Sequence, residues 1–132
     1  MSAEDTPLDT LRHYGCLEDM YHSAPINTAI PSRLWVSADE AFVQMEVTKD
    51  FWHSANALHG SMYFKGLDDA AFFAAQSTVH DFFVLTAQFE VTLLAKVTSL
   101  KLTAKGRIKR REGRKIWASS SLFDEQELNN KN

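Results

Sequence analysis

Between residues 60 and 77 the chain has almost no polar face. Residues 62–64, Leu67 and residues 70–75 are apolar or small, leaving only Lys65, Asp68, Asp69 and Gln76 as clearly polar positions. The segment predicts a helix, and a helix apolar nearly all the way round is one enclosed by other structure. It is therefore the expected central core helix. Four alanines beside the paired Phe72 and Phe73 let a sheet approach it closely on one side.

The rest of the chain has to supply the enclosing layer. Leu8, Leu11, Tyr14, Leu17 and Met20 with Tyr21 recur at three and four residues, which predicts an N-terminal helix over 7–22. Thr6 can cap it, Pro7 suits its first position and Asp9 falls where a capping-box acid sits. Gly15 weakens its middle by about 1 kcal/mol, and His13 and His22 are expected at its surface. Pro25 and Pro31 then break the run. Residues 33–47 alternate apolar with polar around an Asp39-Glu40 turn and read as a hairpin, and 49–56 is an aromatic-rich connection. After the core helix, three segments rich in alternating, β-branched or aromatic residues follow at 82–95, 100–110 and 114–123. Arg111-Glu112-Gly113 turns between the last two. Helix, two strands, buried helix and three strands, with no βαβ alternation, indicate an α+β domain with an antiparallel sheet wrapped on a helix. At 132 residues this is one domain, residues 1–132, whose polar tail at 127–132 is expected to fray.

An aromatic content of 11% and a net charge of -3 exclude a disordered chain. No uninterrupted apolar stretch approaches a membrane span, and the acidic start MSAEDTP is unlike an export signal, so a cytoplasmic protein is expected. The single cysteine, Cys16, excludes an intrachain disulfide framework. Charge is uneven: residues 1–50 carry nine acids and three bases, and eight of the fourteen bases lie between Lys101 and Lys115. A pI near 5.9 argues against nucleic acid as a partner, although the basic strip suits one polyanionic small molecule.

There is no Gly-x-Ser-x-Gly elbow, no phosphate loop and no His-Glu-x-x-His, and the histidines and acids have no metal-ligand spacing. The segment Asn56-Ala57-Leu58-His59-Gly60-Ser61 leads directly into the core helix. A helix N-terminus offers unpaired N–H groups, and glycine lets a ligand come close to them. Aimed at a carbonyl oxygen, such donors stabilise a tetrahedral oxyanion by about 3 kcal/mol each. Asp68, two turns along an apolar helix, is a candidate base or nucleophile, since burial raises its pKa toward the working range. Nine residues place it about 13 Å from His59, too far for both to reach one atom, unless a symmetric dimer brings a second helix alongside. His59 as a plain cap, and Asp68 and Asp69 as partners for bases or backbone donors, are the competing readings.

His59-Gly60-Ser61 followed by Leu67-Asp68-Asp69-Ala70-Ala71, with residues 86–94 and the Arg-Arg-Glu-Gly-Arg-Lys hairpin, resembles the PaaI-type branch of the hotdog-fold acyl-CoA thioesterases over about residues 30–125. The resemblance implies a long helix wrapped by an antiparallel sheet, paired into a homodimer and often doubled to a homotetramer. It implies that the Gly60 N–H of the His59-Gly60 segment polarises a thioester carbonyl while Asp68 comes from the partner subunit. Thr86 corresponds to a hydroxyl residue that helps hold the water. Many members carry Asn six residues before the motif His; here that position is His53, and Asn56 lies three before, so either is the candidate donor. Ser61 replaces a second glycine. Lys105, Arg107, Lys109 and Arg111 alternate on one strand and either meet the phosphates of coenzyme A or form a solvated hairpin. No cofactor is implied, coenzyme A entering as part of the substrate. Members usually add a final edge strand, for which residues 127–132 are poorly suited. The alternatives are a hotdog dehydratase using His59 with Asp68 on a hydroxyacyl thioester, and a non-catalytic acyl-CoA binding module.

Overall fold

The computed structural model describes residues 7–94, 97 and 99–124; the tail at 127–132 lies outside them. Helix α1 (Leu8–Ser23) starts at Pro7, whose carbonyl accepts the Leu11 N–H at 3.1 Å. No side chain caps this end, so the expected capping box is replaced by the fixed backbone angle of proline, and Thr6 lies outside the described residues. A five-residue helix α2 (Pro25–Ala29) follows, an element that the proline-broken spacing does not announce.

Strands β1 (Ser32–Ser37) and β2 (Glu40–Glu46) form the expected hairpin, turned by Asp39 at φ 61°. After a loop comes the long helix α3 (Gly60–Gln76), then β3 (Lys101–Glu112) and β4 (Lys115–Asp124), joined at Gly113 with φ 58°. The sheet order is β1-β2-β3-β4, antiparallel throughout. This is the α+β arrangement of sheet on long helix that the hotdog resemblance implies, with α1 as the extra N-terminal helix.

The sheet meets α3 at unusually short range because the contact residues are small. Ala41, Ala70, Ala74 and Ala104 are fully buried. At Gly106 a Cβ would fall 2.2 Å from the Ala70 carbonyl oxygen and 2.7 Å from the Ala71 nitrogen, so backbone rests on backbone. Around this contact Leu34, Val43, Met45 and Leu102 fill the core at or below 1% exposure.

Two polar devices fasten α1 to this core. On the helix side, Lys65 Nζ donates to Asp69 Oδ2 and Asn27 Oδ1, both at 2.7 Å, and Tyr21 Oη–H donates to Asp69 at 2.6 Å. Burial and the Asp69 charge together push the Tyr21 hydroxyl far above its ordinary pKa, so it stays a donor. On the sheet side, Glu18 and His22, one turn apart, accept the Val36 and Leu34 N–H groups at 2.8 and 3.0 Å. They cover the outer edge of β1, where unpaired donors would otherwise invite a second strand. His22 thus does more than decorate a surface.

The strand expected at 82–95 is not one: residues 82–94 have no ladder partner among the described residues, and 95 lies outside them. β4 ends the sheet, and a groove of about 1460 Å³ is lined by β4, by residues 82–94 and by Leu67, Asp68, Ala71 and Phe72 of α3. Alternating sequence supplies strand propensity, but a strand needs a neighbour for its backbone groups. For the same reason α3 is not enclosed on every side; Phe64 remains 45% exposed. Gln76, buried at the end of α3, guides the chain into this segment by donating to the Val79 and Phe82 carbonyls and accepting the Val84 N–H.

Gly106→Ala is expected to destabilise the fold by about 2 to 3 kcal/mol, read from the urea midpoint, since backbone must move to admit the methyl group. Glu18→Ala with His22→Ala is expected to cost about 1 to 2 kcal/mol and to raise self-association in sedimentation velocity, through the uncovered β1 edge.

Candidate active site

The loop before α3 is tied by its own backbone. Thr48 Oγ1 accepts the Asp50 N–H at the start of a short 3-10 turn, Lys49–Phe51. The His59 N–H donates to the Phe51 carbonyl at 2.9 Å and the His53 N–H to the Ala57 carbonyl at 2.8 Å. Asn56 closes the turn between them with φ 61°, a conformation that asparagine tolerates better than most residues.

This loop places the two candidate donors differently. His53 lines a cavity of about 560 Å³ with Gly60, Leu58, Tyr63, Leu93 and Leu94, whereas Asn56 does not line it. His53 Nδ1 accepts the Ala55 N–H at 3.0 Å, which leaves Nε2 to carry the proton as a donor. Asn56 shapes the turn instead.

At the start of α3, His59 is the N-cap residue: its Nδ1 accepts the Ser61 N–H at 3.1 Å and lies 2.9 Å from Ser61 Oγ. Ser61, standing where the resembled family has glycine, completes this cap. Gly60 contributes an N–H with no partner among the described residues, and nothing lies within 4 Å of where its Cβ would be. The positive end of α3 therefore meets the cavity through one open backbone donor.

Asp68 sits eight residues further on, about 12 Å along the axis, in the groove beside β4. Its Oδ1 accepts the Thr86 hydroxyl at 2.9 Å. Burial pushes the carboxyl up from its ordinary pKa of 3.8, the Thr86 hydrogen bond draws it partly back, and the Asp69 charge adds a further push upward. Asp69 itself points to the other side of α3 and is held by Lys65 and Tyr21. The adjacent carboxylates thus differ in kind: one is neutralised by a cation and the other is left in a half-buried groove.

Within one chain the residues fall into three places. His53 and Gly60 share the cavity, with His59 and Ser61 at its helix cap. Asp68 and Thr86 share the groove, and Tyr63, Leu93 and Leu94 line both spaces. Lys105 and Arg107 alternate with the inward Leu102, Ala104 and Gly106, so they project from the opposite face of the sheet to α3. There Lys105 lies over the Phe42 ring and 3.9 Å from Glu40. Lys109 is exposed beside an irregularity at Ile108/Arg110. No cluster of three metal-ligating side chains occurs among the described residues.

No protein-family profile and no curated protein matches this sequence. Solved structures do match the fold. A thioesterase family protein from Silicibacter pomeroyi is similar at TM-score 0.73 and 19% identity, covering 80% of this chain and 79% of its own. A Shewanella oneidensis protein related to the thioesterase superfamily is similar at TM-score 0.77 and 15% identity, covering 92% of each chain. The PaaI protein from the phenylacetic acid degradation operon of E. coli is similar at TM-score 0.70 and 17% identity, covering 84% of this chain and 90% of its own. The architecture of this chain is the one that these thioesterase-superfamily proteins share.

Proposed function

We propose that the protein is a thioester hydrolase acting on small or medium acyl groups carried by coenzyme A, with each site assembled from two copies of the chain. The observation that carries this reading is the division of labour on α3. An open N–H at Gly60 and a half-buried carboxylate at Asp68 lie on one helix, about 12 Å apart, in two different hollows. Neither completes a site alone. An antiparallel second helix would bring the Gly60 of one copy to the Asp68 of the other.

The apolar surface left bare in one chain supports the pairing. Leu85 and Leu94 are 88% and 90% exposed, and Phe82, Phe83 and Leu93 are at least half exposed, all on the unpaired segment beside the groove. Large apolar side chains exposed together on one unpaired segment point to an association site. Pairing to a homodimer covers it, and doubling to a homotetramer is compatible with the same contact.

In the assembled site the thioester oxygen accepts the Gly60 N–H, and the His53 Nε2–H stands by as a second donor. A water held by Thr86 and Asp68 attacks the carbonyl carbon while the carboxylate takes its proton. The tetrahedral oxyanion is stabilised by the helix donors. Collapse breaks the C–S bond, and the departing sulfur receives the proton, giving a free acid and a thiol. Direct attack by Asp68, followed by hydrolysis of the resulting anhydride, uses the same geometry. With no helix among the described residues long and apolar enough to cross a membrane, and one cysteine, a cytoplasmic setting suits this chemistry.

Asp68→Asn is expected to lower kcat at least about a hundredfold on the best member of an acyl-CoA panel, with thiol release as the readout. Tight acyl-CoA binding by the unmodified protein without thiol release would favour a non-catalytic binding module. The carboxylate form is the active one, so kcat/KM should fall on the acid side along a limb displaced above 3.8. Thr86→Val removes the influence that lowers this pKa and should move the limb to higher pH, whereas Asp69→Asn should move it lower.

A further inference from the structure

We propose that Ser120 is a positioning residue for Asp68, acting through the helix backbone from the sheet side. The row of β4 that faces α3 runs Ile116, Ala118, Ser120, Leu122 and ends at the buried Asp124. A hydroxyl in such a row needs a partner, and Ser120 Oγ–H donates to the Leu67 carbonyl at 2.8 Å. That carbonyl belongs to the peptide unit whose N–H is that of Asp68. It also accepts a helical N–H from four residues on, so the serine occupies its second lone pair.

Ser120 stands directly opposite Gly106 in the β3–β4 register. The two act as one seat for a single helical turn. Gly106 admits the backbone of Ala70 and Ala71, and Ser120 fixes the rotation of the turn by gripping the Leu67 carbonyl. Asp68 is then held from two directions: its peptide from β4, and its carboxylate from Thr86. Without the serine bond the turn is free to rotate on the glycine, and the carboxylate drifts from Thr86.

This inference rests on the reading of Asp68 as the reacting carboxylate, and its test separates the two. In Ser120→Ala, kcat on the best acyl-CoA should fall about threefold to tenfold with KM within about twofold. The Asp68 titration, followed by carboxyl carbon NMR without any turnover, should move to higher pH as the Thr86 bond loosens. Ser120→Thr keeps the hydroxyl and should restore both readouts; Ser120→Cys, close in size and a weak donor, should fall between and serves if the alanine variant does not fold. A lowered urea midpoint with unchanged kcat and unchanged Asp68 titration would overturn the proposal and leave Ser120 merely structural. If Asp68→Asn retains full activity, the reading of Asp68 as the reacting carboxylate fails, yet the NMR titration still decides whether Ser120 positions Asp68.

Discussion

The structure depends on how close α3 comes to the sheet. Gly106 has no side chain, and a methyl group there would overlap the Ala70 carbonyl, so the helix axis is set by backbone contact. Gly66, on the helix, leaves just enough room for Met45 and Leu122, where an added Cβ would sit 3.2 and 3.1 Å away. Packing that tight sets the distance of the helix, and with the Ser120 bond to the Leu67 carbonyl it fixes the rotation as well. The rotation then decides which carboxylate of the Asp68-Asp69 pair turns to the groove and which to Lys65 and Tyr21.

Much of this was legible in the sequence, because periodicity reports burial. The apolar run at 60–77 announced the core helix, and alternation announced the hairpin and the last two strands. What the sequence left hidden depends on neighbours. Residues 82–94 have the composition of a strand but no partner in one chain, so propensity and structure part there. Gly106 and Ser120 read as ordinary strand residues until the register places them opposite each other beneath one turn of α3. The sequence offered one signal for Ser120, a hydroxyl between the apolar Ala118 and Leu122 of the inward row.

The candidate site was legible in outline and ambiguous in detail. His59-Gly60 and Asp68 stood out by spacing, but which of His53 and Asn56 lines the cavity beside Gly60 turned on a backbone angle. Asn56 adopts positive φ to close the loop, and that closure brings His53 beside Gly60. The basic strip is the clearest divergence between composition and place. Alternation correctly put Lys105 and Arg107 on one face, yet that face is turned away from Asp68 in the same chain.

In the proposed mechanism Gly60 and Asp68 act together only across two chains. Gly60→Pro deletes the one open N–H while keeping a residue suited to the first helical position, behind a His59 whose backbone is already extended. Gly60→Pro and Asp68→Asn should each be nearly inactive as pure proteins. Unfolded and refolded together in equal amounts, they should recover about a quarter of the unmodified activity, since half of the dimers are mixed and each holds one intact site. A mixture no more active than its separate components would contradict the account and place the working site within a single chain.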